Sequence, residues 1–374
     1  MVKYHIAWLP GDGVGNDVME AARIVLDAIG LDAEYIHGDV GWEFWKKEGD
    51  PLPQRTIDLL KETDCCLFGA ITSKPNTEAQ KELAPELRDK GFVYSSPIVR
   101  IRQLLNLHTN LRPCKAFKGN PLNYRDDIDL VVFRENTEGL YVGVEFHPVP
   151  EEIFKALSIH PKMERFSSTP LDELAISTRI FTRKGCRNII CQAFEYAREY
   201  NRKSVTLVEK PNVIRETSGM MLQEAREIAK EYPEVEFREV NVDAMCMWLV
   251  KNPQDYDILV SSNMFGDIIS DLSAQLVGGL GFAASGNIGD NYALFEPTHG
   301  SAPKYAGKYK VNPTAMLLSV KLMLDWLGEK DKAKKLEEAI AKVIEEGKIK
   351  TYDLGGSNTT LEVAEEIARK YEEI

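Results

Sequence analysis

A doubly wound α/β fold, distinct from the Rossmann dinucleotide-binding fold, is what this sequence predicts, on three observations. Short strand-like runs alternate with helical ones from the N-terminus onward. Clusters of Arg, Lys, Asp and Tyr follow several of those runs, as expected where sites sit at the carboxyl ends of strands. The glycine turn after the first strand, Gly11-Asp12-Gly13-Val14-Gly15, fails the G-x-G-x-x-G spacing, and no acidic residue closes a following strand at the expected place. That turn is expected instead to let strand and helix pack closely. A P-loop G-K-[ST] is also lacking.

The elements follow in order. Residues 4–9 form an apolar strand, and from 16 to 29 apolar residues recur at Val18, Ala21, Ala22, Val25 and Ile29, a helical spacing. A second short strand covers 65–70. Strands follow at 129–134, near 174–176, at 204–208 and at 257–260, with helices over about 187–200 and 220–232. After a glycine-rich stretch at 278–289 the chain turns helical. The segment 316–327 is apolar nearly all round and should be buried, whereas 333–348 and 361–373 carry one apolar stripe each, as surface helices do. No internal repeat or low-complexity linker separates these parts.

The 374 residues suggest two domains at roughly 150 residues each. With 58 acidic against 46 basic residues the formal charge is −12, the wrong sign for a nucleic-acid binder or an anionic-membrane binder. No apolar run is long enough to span a bilayer, and Met1-Val2-Lys3-Tyr4-His5 lacks the start of a signal peptide, so a cytoplasmic location is expected. The six cysteines (Cys65, Cys66, Cys114, Cys186, Cys191, Cys246) contain no C-x-x-C pair and are expected as free, largely buried thiols.

Five clusters share one substrate logic. Arg102, then Arg112 in Asn110-Leu111-Arg112-Pro113, then Arg134 and Tyr141 in Arg134-Glu135-Asn136-Thr137-Glu138-Gly139-Leu140-Tyr141 supply three guanidinium forks and a phenol. Three such forks in one pocket suit a substrate with more than one carboxylate. Lys210 opens Lys210-Pro211-Asn212 as a candidate base, and Asp243 opens Asp243-Ala244-Met245. Asp267 and Asp271 stand four apart on one helix face, where they repel unless a cation lies between them; hard oxygen ligands of this kind suit Mg²⁺ or Mn²⁺. Finally, 296–307 and Asn312-Pro313-Thr314 read as a loop of small and hydroxyl residues with one His, suited to wrapping an adenosine phosphate.

These residues resemble the β-decarboxylating dehydrogenases, the family of isocitrate, isopropylmalate, homoisocitrate and tartrate dehydrogenases, from Leu9-Pro10-Gly11-Asp12-Gly13 to Asp353-Leu354-Gly355-Gly356. The resemblance implies the two-domain isocitrate/isopropylmalate dehydrogenase-like fold. It places a large cofactor domain at 1–107 plus 279–374 and a small domain at 108–278 carrying the dimer interface, substrate and metal sites. It assigns Arg102, Arg112, Arg134 and Ser96 to the substrate, Tyr141, Lys210 and Asp243 to catalysis, and Asp243, Asp267 and Asp271 to the metal. Cofactor contacts are implied at Thr72, Asn212, Glu296, His299, Gly300, Ser301, Ala302, Lys304, Tyr305 and Asn312. In this family Lys210 and Asp243 enter from the neighbouring subunit, so a homodimer with shared active sites is expected.

Within the family, Ser96 matches the serine of isocitrate enzymes, although Ile98 replaces their asparagine. Ser95 stands where isopropylmalate enzymes carry glutamate, and Val99 where some homoisocitrate enzymes carry arginine. Isocitrate is therefore the expected substrate, with 3-isopropylmalate or homoisocitrate as alternatives. Lys304-Tyr305 stands where NAD-specific members have an aspartate and an apolar residue, and Tyr352 matches a tyrosine of NADP-using members, while Gly356 replaces their arginine. NADP is expected ahead of NAD. A non-catalytic regulatory subunit of a heteromeric dehydrogenase is the alternative of a different class; such a subunit should have lost catalytic groups that this chain retains.

Overall fold

The computed structural model describes residues 2–88 and 90–374. Apolar runs rich in Val, Ile, Leu and Phe form the strands of one ten-stranded mixed sheet. In chain order its strands are β1 (Tyr4–Gly11), β2 (Ala33–His37), β3 (Cys65–Ala70), β4 (Thr109–Lys115), β5 (Asp129–Glu135), β8 (Ser204–Glu209), β9 (Glu236–Asn241), β10 (Ile258–Ser261), β11 (Ala284–Ile288) and β12 (Ala293–Pro297). A separate two-stranded ribbon pairs β6 (Glu145–Phe146) with β7 (Ile176–Ser177).

Across the large sheet the order is β2-β1-β3-β12-β11-β4-β5-β10-β8-β9. Both outer portions are parallel, and the three central ladders β12–β11, β11–β4 and β4–β5 are antiparallel. The two parallel portions therefore run in opposite senses. Helices cover both faces, as a sheet buried on both sides requires.

One large core lies on one face, joining the helices Val14–Ile29, Thr314–Trp326, Lys330–Glu346 and Thr360–Glu373 to Arg183–Glu199 and Thr217–Ala229. Smaller cores fill the other face, one beneath Asn263–Leu276 and Val242–Lys251. The helix expected to be buried all round, Thr314–Trp326, has nine buried residues, whereas Lys330–Glu346 buries one stripe through Leu336, Ile340 and Val343. Helix bounds shift by a few residues from the sequence reading. The segment near 174–176 contributes only the two-residue β7.

Four cysteines are buried and Cys191 and Cys246 half-buried, and all six are free. No helix among the described residues is long and apolar enough to cross a membrane.

Candidate active site

The glycine turn comes first, because it anchors the loop expected to meet a nucleotide. Gly11 and Gly13 adopt φ of 72° and 56°, which suits glycine. A Cβ on Gly13 would collide with the Ser301 carbonyl, to which the Val14 N–H donates at 2.8 Å. The Asp12 carboxylate accepts from the backbone N–H of Trp42 at 2.7 Å and of Thr72 at 2.8 Å. Thr72 Oγ1 and Ser301 Oγ share a hydrogen bond of 2.6 Å. The turn thus packs strand, helix and loop together, as the sequence suggests.

Within that loop, Glu296 and Pro297 belong to β12, correcting the expectation that the segment is loop from 296 onward. Small, hydroxyl-bearing residues follow because the backbone needs close approach and unusual angles: Ala302 sits at φ 36°. His299 sets Nδ1 at 3.1 Å from the Gly300 carbonyl, and its Nε2 is buried without a partner among the described residues. Burial pushes its pKa down, favouring the neutral ring. Gly300 is exposed beside it. Lys304 lies over the Tyr305 ring at 4.9 Å, and Tyr305 stacks on Tyr352 with centroids 5.8 Å apart. Asn312 donates to Asp353 Oδ2 at 3.0 Å, tying the loop to the turn that carries Tyr352. An ammonium and two phenols so placed fit the phosphate of a dinucleotide.

Arg102, on the helix Pro97–Leu104 that Ser96 precedes without a side-chain capping bond, donates from Nη2 to Glu296 Oε1 at 2.9 Å, while its buried Nε has no partner among the described residues. Arg112 and Arg134 come from β4 and β5 and are almost wholly buried. Arg112 donates to Asn110 Oδ1 at 2.6 Å, Ser270 Oγ at 2.6 Å and Asp271 Oδ1 at 3.1 Å. Arg134 donates to Asn263 Oδ1 from both Nε, at 3.1 Å, and Nη2, at 2.8 Å, and pairs through Nη1 with Asp267. Burial pulls both guanidinium groups below their ordinary pKa, and the mutual repulsion of Arg112 and Arg134 adds to this at Arg134. Such a cluster gains from anionic ligands. Arg102 and Arg112 share with Ile98, Glu296 and His299 the wall of a cleft of about 170 Å³.

Asp267 and Asp271 lie on the first turns of Asn263–Leu276, facing Arg112 and Arg134. Burial raises the Asp271 pKa, with Arg112 opposing and Asp267 adding to the rise. The Tyr141 hydroxyl donates to Asp267 Oδ2 at 3.3 Å, and its ring sits 5.6 Å from the Arg134 guanidinium carbon. Burial, followed by the Asp267 charge, raises the phenol's pKa, so it holds its proton. Two carboxylates with free oxygen lone pairs, one still 61% exposed at its side chain, are a donor set that fits a hard divalent cation.

Lys210 and Asp243, which follow β8 and β9, pair with each other, and this contact lowers the Asp243 pKa. No hydrogen bond or ion pair among the described residues joins them to Asp267, Asp271 or Tyr141, and no three carboxylate, His or Cys side chains converge on one point. Asn212 is exposed in the following turn. Direct contacts thus join Arg112, Arg134, Tyr141 and the two aspartates, and none among the described residues joins Lys210 or Asp243 to them.

Sequence reasoning missed the residues that hold these groups. Asn263 grips Arg134 from two sides. Asn287 accepts from Asn110 Nδ2 at 2.7 Å and donates to Glu296 Oε1 at 2.8 Å, so a buried chain of hydrogen bonds runs from Arg102 to Arg112 across three strands. The available signal was an asparagine beside each arginine or glycine cluster.

With this geometry, a sheet that links buried arginines to two aspartates and a tyrosine by direct contacts, residues 5–367 match the isocitrate/isopropylmalate dehydrogenase family. The chain belongs to that family, the β-decarboxylating dehydrogenases, and is an enzyme of it. The 3-isopropylmalate dehydrogenase of Methanothermobacter thermautotrophicus is 42% identical over 373 residues, covering 100% of each chain. The protein DlpA of Legionella pneumophila is 40% identical over 361 residues, 96% of this chain, which spans 57% of that protein. The crystal structure of isocitrate dehydrogenase from Methylococcus capsulatus is similar at a TM-score of 0.85 and 40% identity, covering 99% of each chain.

Proposed function

We propose that the chain catalyses oxidative decarboxylation of isocitrate to 2-oxoglutarate with NADP, as a homodimer whose two active sites are shared. The observation that carries this reading is the convergence of Arg102, Arg112 and Arg134 on a site that also holds Asp267, Asp271 and Tyr141. Three guanidinium groups suit a substrate with more than one carboxylate. Ser96, at the start of the Arg102 helix, would bind the remaining arm. Lys304, Tyr305 and Tyr352 would meet the 2′-phosphate of NADP. The same proposal divides the chain into domains 1–107 plus 279–374 and 108–278, joined through the β11–β4 ladder.

Asp267, Asp271 and the second subunit's Asp243 would hold a divalent ion, which would supply Lewis acidity, and bound NADP would supply the hydride acceptor. Lys210 of that second subunit would take the hydroxyl proton. The arginines hold the carboxylates until the bond to the 3-carboxylate breaks, releasing CO₂ and leaving its electron pair on the substrate as an enolate. Tyr141, whose hydroxyl rests against Asp267, then donates a proton to the carbon that lost CO₂. The test is stoichiometry: purified protein with isocitrate, NADP and Mg²⁺ should yield equal amounts of NADPH, CO₂ and 2-oxoglutarate. NADPH formation without CO₂ would reject decarboxylation.

A second reading is favoured by one observation: Ile98 lines the cleft beside Arg102 and Arg112, and an apolar wall there suits the isopropyl arm of 3-isopropylmalate. The Methanothermobacter relative carries that activity in its name. Homoisocitrate would need a cation where this chain has Val99.

A further inference from the structure

The molecule holds a second cleft, of about 320 Å³, on the other face of the sheet. Pro113 and Lys115 line it from β4 and Asp129 from β5. Because side chains alternate along a strand, Pro113 and Lys115 point away from the face on which Arg112 lies. This cleft therefore backs the strands that present Arg112 and Arg134, one sheet thickness from the site above. Its other wall comes from the helices Thr314–Trp326 and Lys330–Glu346, so residues from both portions of the sheet enclose it.

Its chemistry is specific. The interior is apolar, with Pro113, Leu318 and Leu322, and two aromatic pairs line it: Tyr196 stacks on Tyr200 at 4.2 Å, and Phe117 lies 6.3 Å from Phe282. Around these stand five cations (Lys115, Arg202, Lys321, Lys330, Lys334) and three carboxylates (Asp129, Asp325, Glu337). Four of the cations are paired: Lys321 with Asp325 at 2.8 Å, Arg202 with Asp129 at 2.8 Å and Asp257 at 3.0 Å, Lys115 with Glu337 and Lys330 with Glu199. Lys334 has no carboxylate at ion-pair distance among the described residues and is exposed. The volume falls within the range of small-molecule pockets, roughly 300–1,000 Å³.

We propose that this cleft binds a small planar aromatic anion, its ring against the tyrosine and phenylalanine pairs and its charge toward Lys334. Stacking favours a flat ring over an aliphatic chain. Lys334, the lining cation without an ion-pair partner among the described residues, disfavours an aromatic cation, which the same rings would otherwise attract. The hydroxy acid of the active site, which lacks a ring, is not the occupant.

The experiment titrates the full-length protein with 8-anilinonaphthalene-1-sulfonate, an aromatic anion whose emission rises on burial, with and without saturating NADP. One saturable site per chain is expected, unaffected by the cofactor. Neutral N-phenyl-1-naphthylamine, which lacks the sulfonate, should bind about ten-fold more weakly or worse, the scale of one charge-assisted contact. Lys334→Glu, at an exposed position, should weaken the anion by a similar factor and leave the neutral probe unchanged. Leu318→Trp should fill the cleft and abolish binding of both. If Leu318→Trp does not fold, the Lys334→Glu and neutral-probe comparisons decide. Displacement of the dye by NADP, equal affinity for the neutral probe, or unchanged binding in Lys334→Glu would overturn the proposal.

Discussion

Lys210 donates to Asp243 within one chain, and no hydrogen bond or ion pair among the described residues joins this pair to Asp267 and Tyr141, which are hydrogen-bonded to each other. The proposed dimer would bring the two pairs together from two chains. Lys210→Met and Tyr141→Phe should each lower turnover about 10²–10⁴-fold, the usual contribution of one proton-transfer group. When the two variants are unfolded together, refolded and mixed, each heterodimer should regain one intact site. In a randomly mixed twofold dimer this restores about a quarter of parental activity. Activity of the mixture equal to the mean of the two variants would show that each chain works alone.

Metal dependence is the second expectation. Asp271→Asn is the cleaner variant, because Asp267 also neutralises Arg134 whereas Asp271 is largely exposed and touches only Arg112. Removing one hard oxygen ligand should raise the Mg²⁺ concentration for half-activation by about ten-fold or more. Calorimetry with Mn²⁺ should show the same weakening independently of turnover. Full activity of the parent in excess chelator would remove the metal from the mechanism.

In the proposed reading, cofactor choice would rest on Lys304, which lies over the Tyr305 ring, and on the stacked Tyr305–Tyr352 pair. A charge-assisted hydrogen bond to the 2′-phosphate is worth roughly 1.5–3 kcal/mol, about ten- to a hundred-fold in affinity. Gly356 in place of arginine lacks one such contact, so the preference for NADP should be modest. Lys304→Asp combined with Tyr305→Ile should reverse it, since the carboxylate repels the phosphate and accepts from the free ribose hydroxyls of NAD. The ratio of kcat/KM for the two cofactors checks this. A parent that prefers NAD, with the ratio unchanged in the double variant, would mean that Lys304 does not face the ribose.

The sequence made β1, β3, β5, β8, β10 and the surface helices legible, because these strands are continuous apolar runs and the helices keep one stripe. It did not reveal the edge strands β2 and β9, nor β4, β11 and β12 at the centre of the sheet. β11 reads Ala-Ser-Gly-Asn-Ile, which has little β-propensity. Its residues are small or polar because Asn287 and Ser285 serve the buried hydrogen-bond chain between Arg102 and Arg112. Arg112, Arg134, Tyr141, Asp267 and Asp271, which contact one another, stood out by type and spacing. Their supports, Asn263, Asn110 and Asn287, were not, since a buried asparagine shows its value only once its partners across strands are known.

Acid stability supplies a prediction remote from the site. Hydrogen bonds from Lys3, Lys332 and Tyr4 hold the Glu329 carboxyl below its usual 4.5, at about 2. A carboxylate with a depressed folded pKa stabilises the native state above its unfolded pKa, and that contribution fades as pH falls through the folded value. Glu329→Gln should therefore be less stable than the parent at neutral pH, by a margin that shrinks between pH 4.5 and about 2 and disappears below. Denaturant midpoints across that range check it. A constant gap down to pH 2 would assign the loss to packing instead of charge.

The central claim is that three guanidinium groups and Ser96 select isocitrate over a substrate with an apolar arm. It is tested most directly by kcat/KM for isocitrate, 3-isopropylmalate and homoisocitrate with NADP and Mg²⁺, in the parent and in Ser96→Ala. The account predicts that isocitrate leads in the parent and that Ser96→Ala lowers its kcat/KM at least about ten-fold, as loss of a hydrogen bond to a charged group does, while 3-isopropylmalate is little changed. A parent that prefers 3-isopropylmalate, or isocitrate turnover indifferent to Ser96, would contradict it and give Ile98 the deciding role in the cleft.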